Sequence, residues 1–85
     1  MNNTYQIYLI SDSTGETLNR IFLALKAQFK NFNYKIHQCS FTRTENQILK
    51  ILDNCKKNKN SIVLYTIVDS NLAKFLNRES NKIRI

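Results

Sequence analysis

The sequence contains no proline, no tryptophan and a single glycine in 85 residues. One glycine cannot build a glycine-rich phosphate cradle, and the GxxxxGK(S/T) pattern of a nucleotide P-loop is absent from the whole chain. Cysteine is equally sparse. Cys39 and Cys55 are too few for a disulfide framework and too far apart for a CxxC site, so both read as small apolar residues of a reduced, cytoplasmic protein. The lone histidine, His37, has no acid or cysteine at ligand spacing; it reads as a packed strand residue, and no metal site is expected. No apolar run approaches the ~20 residues of a membrane span. Met1-Asn2-Asn3-Thr4 lacks the basic start and apolar stretch of a signal peptide. Acidic residues are also few, six Asp+Glu against thirteen Lys+Arg, for a net charge of +7. A nucleic-acid footprint should be clustered, yet Lys26, Lys30, Lys35, Lys50, Lys74 and Lys82 are dispersed. Only Lys56, Lys57 and Lys59 form a run, at a predicted helix end where cations suit the dipole. Asn, Lys and Ile, all with AT-rich codons, make up 31 of the 85 residues. Genome composition can therefore supply the charge without selection for a polyanion, and neither nucleic acid nor membrane is expected as a partner.

What is present is enough for a core: 42% of the residues are hydrophobic. The length fits one small domain, or part of a larger one, with a thin stability margin. Three apolar runs read as strands, YQIYLI with Ser11 (5–11), YKIHQCSF (34–41) and SIVLYTIV (61–68). The third is nearly continuous in β-branched and aliphatic residues, as a strand covered on both faces would be. The second alternates and looks closer to a sheet edge. Between them, Leu18, Ile21, Phe22, Leu25 and Phe29 step by three and four and predict a helix over 14–30. Ile48, Ile51, Leu52 and Cys55 predict another over 44–57, and Leu72, Phe75 and Leu76 a third over 70–79. Strands alternating with helices at this spacing give an α/β class: a three-layer parallel sheet of βα repeats. Asn81–Ile85 reads as the opening of a fourth strand, so the chain is expected to be a single domain cut at that strand.

Ligands of such sheets bind beyond the carboxyl ends of the strands. After the first strand comes Ser11-Asp12-Ser13-Thr14-Gly15-Glu16-Thr17, which places hydroxyls, an acid and the only glycine where a helix begins. This suits a phosphate- or substrate-contacting turn. A capping box between Ser13 and Glu16 explains those two residues equally well, but leaves Asp12, Gly15 and Thr17 without a role. After the second strand, Arg43 can fork onto a phosphate or carboxylate, or stand as a surface charge while Thr42 or Thr44 caps the next helix. After the third, Asp69 reads first as a helix cap. Together with Asp12 it could also hold a cation, or act as a receiver-like phosphoacceptor, although the Lys and Ser/Thr that receiver domains draw from later strands are missing.

The run Ile7–Thr17, followed by Ala27-Gln28-Phe29, Arg43-Thr44-Glu45 and Ile62–Asp69 in order and spacing, resembles the bacterial pyruvate, phosphate dikinase regulatory proteins. Their close relatives regulate phosphoenolpyruvate synthase. The likeness covers essentially the whole chain, and SDSTGET with a downstream LYTxVD is its specific part. The resemblance implies a bifunctional enzyme that phosphorylates a threonine of the dikinase or synthase from ADP. The same enzyme removes that phosphate by phosphorolysis, with inorganic phosphate as acceptor and pyrophosphate as product. It implies further that the P-loop lies beyond the end of this chain, so the 85 residues correspond to the N-terminal domain and are expected to be inactive alone. No cofactor is expected for this chain itself; ADP and inorganic phosphate are substrates of the family. By the same analogy Ser11, Asp12, Ser13, Thr14, Gly15, Thr17, Arg43, Thr44 and Asp69 would line the phosphate or target side of the site. A frameshifted gene, a cut chain and a reduced protein are the three origins to weigh for such a piece, and the AT-rich composition leans to the first. A non-catalytic module that docks a partner is the alternative function.

Overall fold

A computed structural model describes residues 4–27, 33–57 and 60–82. Six elements alternate along it: β1 (Thr4–Ser11), α1 (Glu16–Lys26), β2 (Asn33–Cys39), α2 (Glu45–Lys56), β3 (Ser61–Thr66) and α3 (Ser70–Lys82). The strands form one parallel sheet in the order β2-β1-β3. Register runs from Thr4 opposite Asn33 to Ile10 opposite Cys39 on one side of β1, and from Gln6 opposite Ser61 to Ser11 opposite Thr66 on the other.

Alternation along β1 sends its side chains to two separate cores. Ile7 and Leu9 meet Leu18 and Phe22 of α1, with Tyr5, Tyr34 and Leu64 packed around them. Tyr8 and Ile10 face the opposite way, into Ile48, Leu52 and Cys55 of α2 and Leu72 and Leu76 of α3. The result is the predicted three-layer α/β sandwich, with α1 on one face and α2 and α3 on the other. Ile10, Ile48 and Leu76 are fully shielded from solvent. Burial of each is worth about 1.5–3 kcal/mol, which makes the second core the main stabilising mass of a small fold. His37 is a strand residue as expected: its ring stacks on Tyr8 at 4.5 Å and 11°, and its Nε2 lies 2.6 Å from Gln6 Oε1.

Several boundaries differ from the sequence reading, each for a local reason. The strand buried on both faces is β1, not β3; the order β2-β1-β3 leaves β3 half-buried at an edge despite its continuous apolar run. Helix α1 begins at Glu16 rather than residue 14, with Gly15 as N-cap at φ 87° and no side-chain cap. The Ser13–Glu16 capping box is therefore not formed; Ser13 N–H donates instead to Ser11 Oγ at 3.1 Å, and Ser13 O accepts from Phe41 N–H at 2.9 Å. Strand β2 stops at Cys39 because Phe41 turns into the left-handed region at φ 56°. Strand β3 stops at Thr66 because Val68 N–H is drawn to Asp12 Oδ2. The expected fourth strand over 81–85 is not there in its first part. Asn81 and Lys82 continue α3, held by Ser80 Oγ on Leu76 O at 2.7 Å and by the Glu79–Lys82 pair at 3.1 Å, and the sheet has three strands among the described residues. Residues 83–85, and residues 28–30 of the predicted first helix, lie outside the described residues.

Candidate functional site

The carboxyl ends of the three strands carry three loops, residues 12–15, 40–44 and 67–69. From β1 the chain turns to α1 on one face of the sheet, while from β3 it turns to α3 on the other. The crevice between those departures is a topological switch point, where doubly wound sheets bind ligands. Here it is an open recess of about 280 Å³ walled by residues 11–17 on one side and by Thr66 and Val68 on the other. A second recess of about 380 Å³ adjoins it, between Asp12, Arg43, Asp69 and Leu72.

The loops are tied to one another by short hydrogen bonds. Asp12 joins all three: its Oδ2 accepts from Val68 N–H at 2.8 Å, and its backbone carbonyl accepts from Arg43 Nε at 3.0 Å. Ser11, almost fully buried, receives Thr42 N–H on its carbonyl at 2.8 Å and pairs its Oγ with Ser13 Oγ at 3.3 Å. The Thr14 carbonyl accepts from Ser40 Oγ at 3.0 Å and Gln38 Nε2 at 3.4 Å. Gly15 is buried against β2, and a Cβ there would stand 3.0 Å from Gln38 Nε2. Thr17 lies exposed in the first turn of α1, on the recess wall. Because α1 has no side-chain cap, its first-turn amides face that recess uncapped by any side chain.

Thr44 is the N-cap of α2 and forms a complete capping box with Gln47: Thr44 Oγ1 accepts from Gln47 N–H at 3.2 Å, and Gln47 Oε1 accepts from Thr44 N–H at 3.0 Å. The motif expected after β1 thus occurs after β2. Arg43 is not a detached surface charge. Its guanidinium sits 5.3 Å from the Phe41 ring centroid while its Nε is bound to the first loop. Asp69 caps α3 through Oδ1 and Leu72 N–H at 3.0 Å, which was the simpler of its readings. Asp12 and Asp69 line the same recess, but each spends a carboxylate oxygen on a backbone amide. No group of three or more His, Cys, Asp or Glu suited to a metal comes together among the described residues.

Three residues absent from the sequence reading, Gln47, Phe41 and Val68, are built into the site, together with Thr42, which was read only as a candidate cap of α2 and does not cap it. Thr42 is buried and bridges Cys39 O at 3.0 Å, fixing the loop that carries Arg43. Gln47 links α2 back to Phe41 O at 3.3 Å. Phe41 and Val68 stand exposed on the rim, Val68 to 90%. A hydroxyl between a strand and a capped helix was a readable signal for Thr42; nothing in the sequence marks a phenylalanine for a left-handed backbone.

The switch-point crevice and its three tied loops mark an edge where such folds bind ligands, without naming the ligand. The comparison that decides is a family match: residues 7–85 fit the family described as Kinase/pyrophosphorylase. This chain belongs to that family. A pyruvate, phosphate dikinase regulatory protein of Pelagibacter ubique is 65% identical over 85 residues, covering 100% of this chain and 31% of that protein. Proteins of the same designation from Geotalea uraniireducens and Alkaliphilus oremlandii are 43% and 40% identical, covering 89% and 93% of this chain and 28% of each relative. The chain therefore spans less than a third of the length of these relatives. Of the segments that carry the family resemblance, residues 11–17, Arg43, Thr66, Val68 and Asp69 line the crevice. No helix among the described residues is long and apolar enough to cross a membrane.

Proposed function

We propose that this chain forms the phosphate- and target-facing edge of a regulatory kinase/pyrophosphorylase. Its target would be pyruvate, phosphate dikinase or phosphoenolpyruvate synthase, phosphorylated on threonine with ADP as donor and dephosphorylated with inorganic phosphate as acceptor. The observation that carries this reading is the convergence of residues 11–17, Arg43 and Asp69 on one crevice at the switch point of the sheet. The uncapped N-terminus of α1 supplies backbone donors for phosphate oxygens, and Arg43, swung over Asp12, supplies a fork of charge. Phosphoryl transfer depends on positioning and on neutralising the phosphate charge, normally through a P-loop and its metal. These 85 residues contain no GxxxxGK(S/T) sequence, so they are proposed to bind without catalysing ADP-dependent transfer.

The test is an NMR titration of the chain with inorganic phosphate, pyrophosphate and the dikinase. Shifts confined to residues 11–17, 43 and 69 are expected; silence at those amides with every ligand overturns the reading. A second reading, a docking module without phosphate chemistry, draws on the exposed Phe41 and Val68 at the rim. The two separate on Val68→Ala, which keeps the backbone N–H bonded to Asp12 and so leaves phosphate binding unchanged in the first case, but weakens partner binding in the second.

A further inference from the structure

The two edges of the sheet differ in kind. Strand β2 carries exposed Lys35 and Gln38, one on each face of the sheet, and a lysine is a common device for blunting an edge. Strand β3, Ser-Ile-Val-Leu-Tyr-Thr, has no charged residue and is half-buried throughout except at Tyr65. Gln6 N–H donates to Asn60 O at 2.8 Å. In a parallel ladder that bond turns the amides of Ile62, Leu64 and Thr66 toward β1 and those of Val63 and Tyr65 outward. Among the described residues no strand pairs with that outer edge.

Chain topology says what direction a partner for this edge would take. The crossover from β2 through α2 to β3 passes over β1 on the α2 face, and α3 returns along that same face against α2. Parallel crossovers are right-handed in about 98% of cases. A strand that follows α3 therefore falls beside β3, on the side away from β1, and runs parallel to it. The Pelagibacter ubique relative has more than two thirds of its length outside the match, ample to supply such a strand.

We propose that the outer edge of β3 is a docking site for a parallel, apolar β-strand contributed by the segment that continues past α3 in the longer members of the family. This rests on the family assignment and the sheet geometry, not on the phosphate reading of the crevice. The rival occupant is a second copy of this chain, which a two-fold axis would pair antiparallel, β3 to β3.

Two measurements test it. In the first, the 85-residue chain is mixed with the separately produced remainder of the Pelagibacter ubique relative, and light scattering is combined with amide hydrogen exchange. A 1:1 complex in which the Val63 and Tyr65 amides slow on the order of tenfold or more is expected. A complex that leaves those two amides unchanged, or a β3-paired homodimer that ignores the added segment, overturns the proposal. In the second, which does not depend on the remainder folding alone, exchange is measured in the intact relative. The amides aligned with Val63 and Tyr65 are expected to exchange only on global unfolding, and rapid exchange there refutes strand addition.

Discussion

Replacing Gly15 by alanine probes the turn on which the crevice is built. Gly15 is the N-cap of α1 at φ 87° and ψ 11°. Holding an L-residue in the left-handed region costs about 1–2 kcal/mol. The new Cβ would meet Gln38 Nε2 at 3.0 Å, with Ser40 Oγ at 3.6 Å and Ser11 Cβ at 3.7 Å in ordinary contact. The tight contact is with the end of a flexible side chain whose bond to Thr14 O is already long at 3.4 Å, so Gln38 swings aside and forfeits only a weak hydrogen bond. Loss of unfolded-state freedom on going from Gly to Ala works the other way, by about 0.4–1 kcal/mol. The net expectation for Gly15→Ala is a destabilisation of about 1 kcal/mol, or about 4–8 °C in Tm for a domain of this size. Urea unfolding followed by circular dichroism, together with a thermal melt, measures it. Gly15→Asn should lose less, since asparagine tolerates that region, and Ser13→Ala should stay within about 0.5 kcal/mol of the parent. If Gly15→Ala is neutral or stabilising while Ser13→Ala costs about 1 kcal/mol, α1 starts with the Ser13–Glu16 capping box and the turn described here is wrong.

Three further expectations follow from other parts of the fold. Thr44→Ala removes the capping box of α2 and should lower stability by about 1 kcal/mol in the same urea assay, with Gln47→Ala only partly additive because both act through one motif. Burial pushes the Cys55 thiol up to about 12 and raises that of Cys39 as well. At mildly alkaline pH a thiol reagent should therefore label Cys55 only on unfolding and Cys39 more slowly than a free thiol, read by intact mass. Hydrogen bonds from Lys82 and Arg78 hold the Glu79 carboxyl below its ordinary value of 4.5. A folded value below the unfolded one contributes stability that is present above the unfolded value and lost as pH falls through the folded one. Urea midpoints should consequently drop more steeply on acidification in the parent than in Glu79→Gln, and parallel curves for the two would refute the pairing.

The class of fold was legible because periodicity reports burial. Leu18 and Phe22, four apart on α1, and the alternating residues of β1 follow from which faces meet the cores, although Ile21 and Leu25 of the same helical stripe stay exposed. Which strand lies in the middle was not legible. Strand β3 is the most apolar of the three, yet β1 is central, because strand order depends on crossover geometry and not on local composition. The α3 boundary was misread for a similar reason. NKIRI looks like a strand opening in isolation, but Ser80 is buried against the core with its hydroxyl satisfied on Leu76 O, and the Glu79–Lys82 pair spans the last turn, so the helix runs to Lys82. At the crevice the residue types were visible and their duties were not. Asp12 was a candidate for a ligand contact; its tie to Val68, 56 residues away, is a product of the assembled sheet.

The charge of +7 that dominates the composition also acquires a place. Of the Lys and Arg among the described residues, only Arg43 lines either recess, where it is accompanied by Asp12, Glu16 and Asp69. The crevice is thus poorer in positive charge than the protein as a whole. An anion held there would rely on backbone amides at the start of α1 and on one guanidinium, not on a field of lysines. Affinity from such a site depends on geometry more than on long-range attraction, and geometry is what the three loop ties through Ser11, Asp12 and Thr42 provide. Phosphate binding by this chain should accordingly depend far more on the integrity of those ties than on the dispersed lysines of its surface.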